Sequence, residues 1–110
     1  MQLNKIINEA KNIIVRKFSP EKIILFGSCA NNEFKTDSDI DLFIIKNTSK
    51  NDIRKLRLQI KKELREIIFK FNVAFDIFLD TPEGVEKRIK EFNDQFYKEI
   101  VFNGKIIYEK

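Results

Sequence analysis

The sequence predicts an α/β domain (α+β in its connectivity): a small mixed β-sheet covered by helices. Two observations carry this. Residues 2–18 and 52–70 each place apolar side chains at helical spacing, and the short apolar runs at 22–26, 40–45 and 73–79 read as strands bounded by turn residues. Reading on to the C-terminus gives the order helix, strand, strand, helix, strand, helix, strand, which suits one sheet with helices packed on it. The 110 residues suffice for one compact domain and are too few for two, so residues 1–110 are expected to form a single unit.

The first helix carries Leu3, Ile6, Ile7, Ala10, Ile13, Ile14 and Phe18 on one face, opposite Asn4, Lys5, Glu9, Lys11 and Asn12. Pro20 ends it, because the residue before a proline is pushed out of the helical region, and the strand at 22–26 follows at once. A helical turn over 28–30 and a polar loop over 31–38 then lead to the strand at 40–45, its expected antiparallel neighbour.

The polar group Asn47-Thr48-Ser49-Lys50-Asn51 offers N-caps for a long helix reaching about residue 70. Ile53, Leu56, Ile60, Leu64, Ile67, Ile68 and Phe71 form its core stripe. Its other face is basic, with Arg54, Lys55, Arg57, Lys61, Lys62, Arg65 and Lys70 against Asp52, Glu63 and Glu66. Asn72 closes this helix in place of glycine. The next strand ends at Asp80, which is expected to remain solvent-exposed, and Thr81-Pro82-Glu83 then supplies an N-cap, a proline at the first helical position and an early acid. Val85, Ile89, Phe92, Phe96 and Ile100 mark the stripe that follows, with a break at Asn93 that Asn-Asp recaps. Asn103-Gly104 stops the helix before an edge strand over 106–108. Eleven phenylalanines are expected to fill much of the core.

Composition narrows the function classes. No twenty-residue apolar segment and no signal-peptide pattern is visible, so a cytoplasmic protein without membrane association is expected. The single Cys29 excludes an internal disulfide and reads as a small apolar loop filler. The net charge of +4 resides on the basic helix face. Without interleaved aromatics this face reads as a solvated surface, and specific nucleic-acid binding is not expected of it.

The chemistry is concentrated in Gly27-Ser28, ten intervening residues, and Asp39-x-Asp41. Side chains two apart on a strand share a face, so both aspartates project to one side, close to where Gly27 and Ser28 end the preceding strand. Mg²⁺ keeps several waters and takes one or two carboxylates plus substrate phosphate oxygens, which suits paired aspartates in a chain without histidine. Gly27 lets the backbone approach a phosphate, and Ser28 adds a hydroxyl and backbone N–H groups at the start of a helical turn. Asp76, inside an apolar run where an unpaired charge is expensive to bury, is the candidate third ligand of a site for two ions.

Gly27-Ser28-x10-Asp39-x-Asp41, with Asp76 on a later strand, resembles the signature of the polymerase-β-like nucleotidyltransferase superfamily. The small size resembles its minimal nucleotidyltransferase (MNT) branch. The resemblance implies Mg²⁺-dependent transfer of a nucleoside monophosphate from an NTP, with ATP expected. Asp39, Asp41 and Asp76 would be catalytic and metal-binding, and Gly27 and Ser28 nucleotide-binding. One departure stands out: relatives commonly carry Arg-Ala-Arg-Gly where this chain has Cys29-Ala30-Asn31-Asn32, which removes two positive charges near the phosphates. The chain has no room for the helical domain that holds the acceptor in larger members, so a second copy (a homodimer) or a separate protein must present it. Similar minimal members act as antitoxins of HEPN-type helical proteins by placing AMP on a tyrosine. Two alternatives stay open: a non-catalytic module that neutralises a partner protein by contact, and an RNA-binding accessory domain.

Overall fold

The computed structural model describes residues 3–30 and 39–110. Helix α1 (Leu3–Phe18) leads into strand β1 (Lys22–Phe26), a 3₁₀ turn (Gly27–Cys29) and strand β2 (Ile40–Ile45). A second 3₁₀ turn (Lys50–Asp52) then opens α2 (Ile53–Glu63) and α3 (Arg65–Phe71), followed by β3 (Phe75–Asp80), α4 (Pro82–Lys90), α5 (Gln95–Asn103) and β4 (Lys105–Glu109). The loop expected over 31–38 lies outside the described residues.

The strands form one sheet in the order β3-β2-β1-β4. β1 runs antiparallel to β2 and β4, whereas β2 and β3 are parallel, so the sheet is mixed as expected. Its two faces differ. Ile23, Leu25, Leu42, Ile44, Ile77 and Leu79 point to the side closed by α1, α2 and α3, where Ile6, Ala10, Ile14, Ile60, Leu64 and Ile67 complete the larger core. Ile24, Phe43 and Ile45 point to the other side, against Val85 of α4 and Ile100 of α5.

The local signals explain the boundaries. α1 ends at Ser19, which takes a left-handed conformation (φ 46°) and donates its N–H to Val15 O at 3.1 Å, ahead of the buried Pro20. Asn72 (φ 52°) closes α3, since asparagine tolerates this region better than most residues. Thr81 Oγ1 accepts the Gly84 N–H at 2.9 Å to cap α4, and Asp94 Oδ1 accepts the Tyr97 N–H at 3.1 Å to cap α5 after the turn at Asn93.

Three expectations need correction. The long helix is two helices meeting at Leu64 (φ −85°, ψ −1°), although neither glycine nor proline stands there. Leu64 is fully buried, and the turn seats its side chain in the larger core. Of the described phenylalanines only Phe43 is fully buried; Phe18, Phe26, Phe71, Phe75 and Phe78 pack partly buried against the two cores, Phe69, Phe92, Phe96 and Phe102 are exposed, and the core is built chiefly of Ile and Leu. Asp80, expected to be solvent-exposed, is half-buried. Its carboxylate accepts from the Tyr97 hydroxyl at 2.6 Å and from the Thr81 N–H at 2.7 Å, which ties the end of β3 to α4 and α5.

Burial and the Asp80 carboxylate both push the Tyr97 phenol to higher pKa, so the hydroxyl stays protonated and donates. Tyr97→Phe is expected to lower stability by about 1.5–3 kcal/mol in urea unfolding, the net worth of a hydrogen bond to a charged group. An unchanged unfolding midpoint would show that this tie contributes nothing.

Candidate active site

The sheet register assembles the site. Phe26 lies opposite Asp41, and Asp41 lies beside Asp76 on the parallel neighbour, so the end of β1 and both carboxylates form one row across three strands. Asp39 stands just ahead of β2, exposed, two residues from Asp41. The Asp41 carboxyl is raised above its ordinary 3.8, first by burial and then by the negative charges of Asp76 and Asp39. All three acids therefore share one electrostatic neighbourhood. Asp76 itself is half-buried, less enclosed than its apolar run implies.

Gly27 makes the closest approach. Its φ of +72° lies in the left-handed region, and a Cβ built there would collide with Asp41 Oδ2 and sit 3.2 Å from Asp41 Cγ. The backbone thus passes directly over the Asp41 carboxylate, which only glycine permits. Ser28 and Cys29 continue the 3₁₀ turn. Cys29 is buried, with Sγ 3.9 Å from Asp39 O. Its thiol is pushed up to about 11 by burial and then by the Asp41 charge, so at neutral pH it is protonated and packs as an apolar residue.

Among the described residues, no group of three His, Cys, Asp or Glu side chains gathers closely enough to hold a metal ion. Asp41 and Asp76, neighbours in the register, would offer the one or two carboxylates that Mg²⁺ takes alongside waters and phosphate oxygens. The all-oxygen donor set and the mutual repulsion at Asp41 fit a hard cation. Asn31 and Asn32 of the altered loop lie outside the described residues.

Two features escaped sequence reasoning. Phe26, Phe78 and Phe96 pack ring to ring at 5.4–5.8 Å, forming an apolar wall beside the carboxylate row with Phe96 still 46% exposed. Farther along β3 a cleft of about 780 Å³ gathers cations from the Lys50 turn, α2 and α4. Its basic residues were visible in the sequence only on α2, and no local spacing pairs them with α4.

Three comparisons bear on the chain. The family model described as "Polymerase beta, Nucleotidyltransferase" matches residues 8–110. A Methanocaldococcus jannaschii protein named "Putative protein adenylyltransferase MJ0604" is 26% identical over 110 residues, spanning 98% of this chain and 100% of the relative. A crystal structure of "a putative nucleotidyltransferase" from Sulfolobus solfataricus covers 79% of this chain and 73% of its own, with a TM-score of 0.44 and 22% identity.

Two outcomes follow from the geometry. Gly27→Ala is expected to lower stability by about 1 kcal/mol or more and to weaken nucleotide binding, because the new Cβ must displace the Asp41 carboxylate. Calorimetric titration and thermal unfolding would check both; a variant equal to wild type in each would refute the close approach. Metal-free Asp41→Asn is expected to be more stable than wild type at pH 7. A carboxyl raised in the folded state contributes stability below its unfolded value of 3.8, and this is lost as pH rises through the folded value. The gain should therefore vanish at pH values below 3.8, and a gain that persists there would point to another cause.

Proposed function

Because the chain belongs to the polymerase β nucleotidyltransferase family, we propose that it transfers a nucleoside monophosphate from an NTP, with ATP as donor, to a hydroxyl of a partner protein. The observation that carries the reading is the row that joins Gly27, Asp41 and Asp76 at one end of three neighbouring strands. The full-length likeness to a protein named as an adenylyltransferase of proteins supports AMP as the group moved and a protein as the acceptor.

In this mechanism the backbone at Gly27 and the Ser28 hydroxyl bind the phosphates, with nothing bulky between them and Asp41. Asp39 and Asp41 would hold one Mg²⁺ and Asp76 would help hold a second on the acceptor side of the row. When bound, the metal would supply positive charge against the triphosphate and against the charge that builds up at phosphorus. The acceptor oxygen forms its bond to the α-phosphorus as the bond to pyrophosphate breaks, and Asp76 helps draw off the hydroxyl proton. Phe26, Phe78 and Phe96 exclude water from one side of the row. The acceptor belongs to a helical HEPN-type toxin, for which this chain is the antitoxin, and the modification silences the toxin. The chain works in the cytoplasm, alone or as a homodimer.

The test incubates the chain with α-labelled ATP, Mg²⁺ and the protein product of the adjacent gene. Label is expected on the neighbour. It should be abolished by Asp39→Asn or Asp41→Asn and slowed roughly 10²-fold or more by Asp76→Ala, which keeps nucleotide affinity. An Asp76→Ala protein with a normal transfer rate would overturn the third-carboxylate role. A tight complex without any label would favour a binding module that neutralises its partner by contact.

A further inference from the structure

We propose that the basic cleft beside β3 is the docking site for the acceptor protein and takes an acidic segment of it. This rests on the transfer reading above and adds the chemistry of the partner surface. The cleft is bounded by Lys50 before α2, Arg54 and Arg57 on α2, and Lys87 and Arg88 on α4, with Asp80 the one acid among its lining residues. Lys50, Arg54, Arg57 and Lys87 make no ion pair with any described residue, and Arg88 reaches only Asp94, at 3.7 Å. Like charges drawn from three separate elements into one concavity repel one another, and an anionic ligand relieves this.

Position assigns the ligand to the acceptor rather than to the triphosphate. The phosphate-binding Gly27 follows β1, whereas the cleft lies along β3, with β2 between them. Phe78 and Asp80 in its lining are two and four residues beyond Asp76 on the same strand face. A chain seated there approaches the row from the Asp76 side, where the attacking hydroxyl must enter.

The chemistry favours carboxylates over nucleobases. The aromatic rings of the cleft are already engaged: Arg88 lies over both Phe92 (5.9 Å) and Tyr97 (5.7 Å), Lys87 lies over Phe92 (6.0 Å), and the Tyr97 hydroxyl is committed to Asp80. Phe92, although 62% exposed, and Tyr97 thus stand against cations, and a base stacking where a cation lies would have to displace it. The planar fork of N–H donors on a guanidinium matches the two oxygens of a Glu or Asp carboxylate.

The test titrates the full chain with a short Glu-rich peptide carrying one tyrosine, the same peptide with Gln for Glu, and a short oligouridylate. Mg-ATP binding is followed in parallel. The Glu peptide is expected to bind in a salt-sensitive manner and the Gln peptide not to bind. The triple variant Arg54→Ala, Arg57→Ala, Lys87→Ala is expected to bind the Glu peptide about tenfold more weakly while keeping its ATP affinity, which also reports that it is folded. Equal peptide binding by variant and wild type overturns the proposal, as does oligouridylate binding tighter than the Glu peptide. A chain that transfers no AMP yet binds the acidic peptide through these cations upholds the cleft and sinks the transfer reading. Transfer to the neighbour with an unchanged KM for the acceptor in the triple variant does the reverse.

Discussion

Gly27 passes over β2 so closely that a Cβ added there would occupy the space of the Asp41 carboxylate, and the rest of the site is arranged around that contact. The positive φ turns the chain off β1 and across the strand end, the 3₁₀ turn buries Cys29 beneath it, and Asp41 is left half-buried under a backbone rather than open to water. Partial burial raises the cost of its charge, and Asp76 and Asp39 raise it further. A site arranged in this way spends folding stability on holding acids together, which makes sense where a cation and a phosphate complete it.

The sheet tolerates this because its two faces carry different loads. One face is closed by three helices over a continuous Ile and Leu core, and that side holds the strands in register. The other is covered by α4 and α5 over a smaller core, which leaves the row at the strand ends accessible past Phe96. Rigidity on one side permits an open, charged edge on the other.

Much of this was legible in the sequence. The Gly-Ser and Asp-x-Asp spacing placed the two strand ends correctly because a two-residue period and an antiparallel pair leave few arrangements. The turn residues Asn72, Thr81, Asn93 and Asp94 act locally, so their roles could be read locally. The failures have a common physical source in packing between distant segments. Helical spacing put Phe92 and Phe96 on the apolar stripe, but a capped break at Asn93 rotates α5 relative to α4 and leaves both rings outside the core. Asp80 looked like a strand-end charge until Tyr97, seventeen residues later, supplied its donor. The basic cleft joins side chains of α2 and α4 that no spacing in the chain relates.

β3 carries an acid at each end of one face, Asp76 in the carboxylate row and Asp80 in the lining of the cleft. Four residues of strand separate them, about 13 Å at the usual rise. The strand has no bulge in its pairing with β2, and its far end is pinned through Asp80 to two helices, so this span is a fixed ruler. An extended guest lying alongside β3 would share its rise, and a negative side chain seated among the cations would stand three or four positions from whichever residue meets Asp76. The fold thereby sets a spacing rule for its guests, written in the length of a single strand.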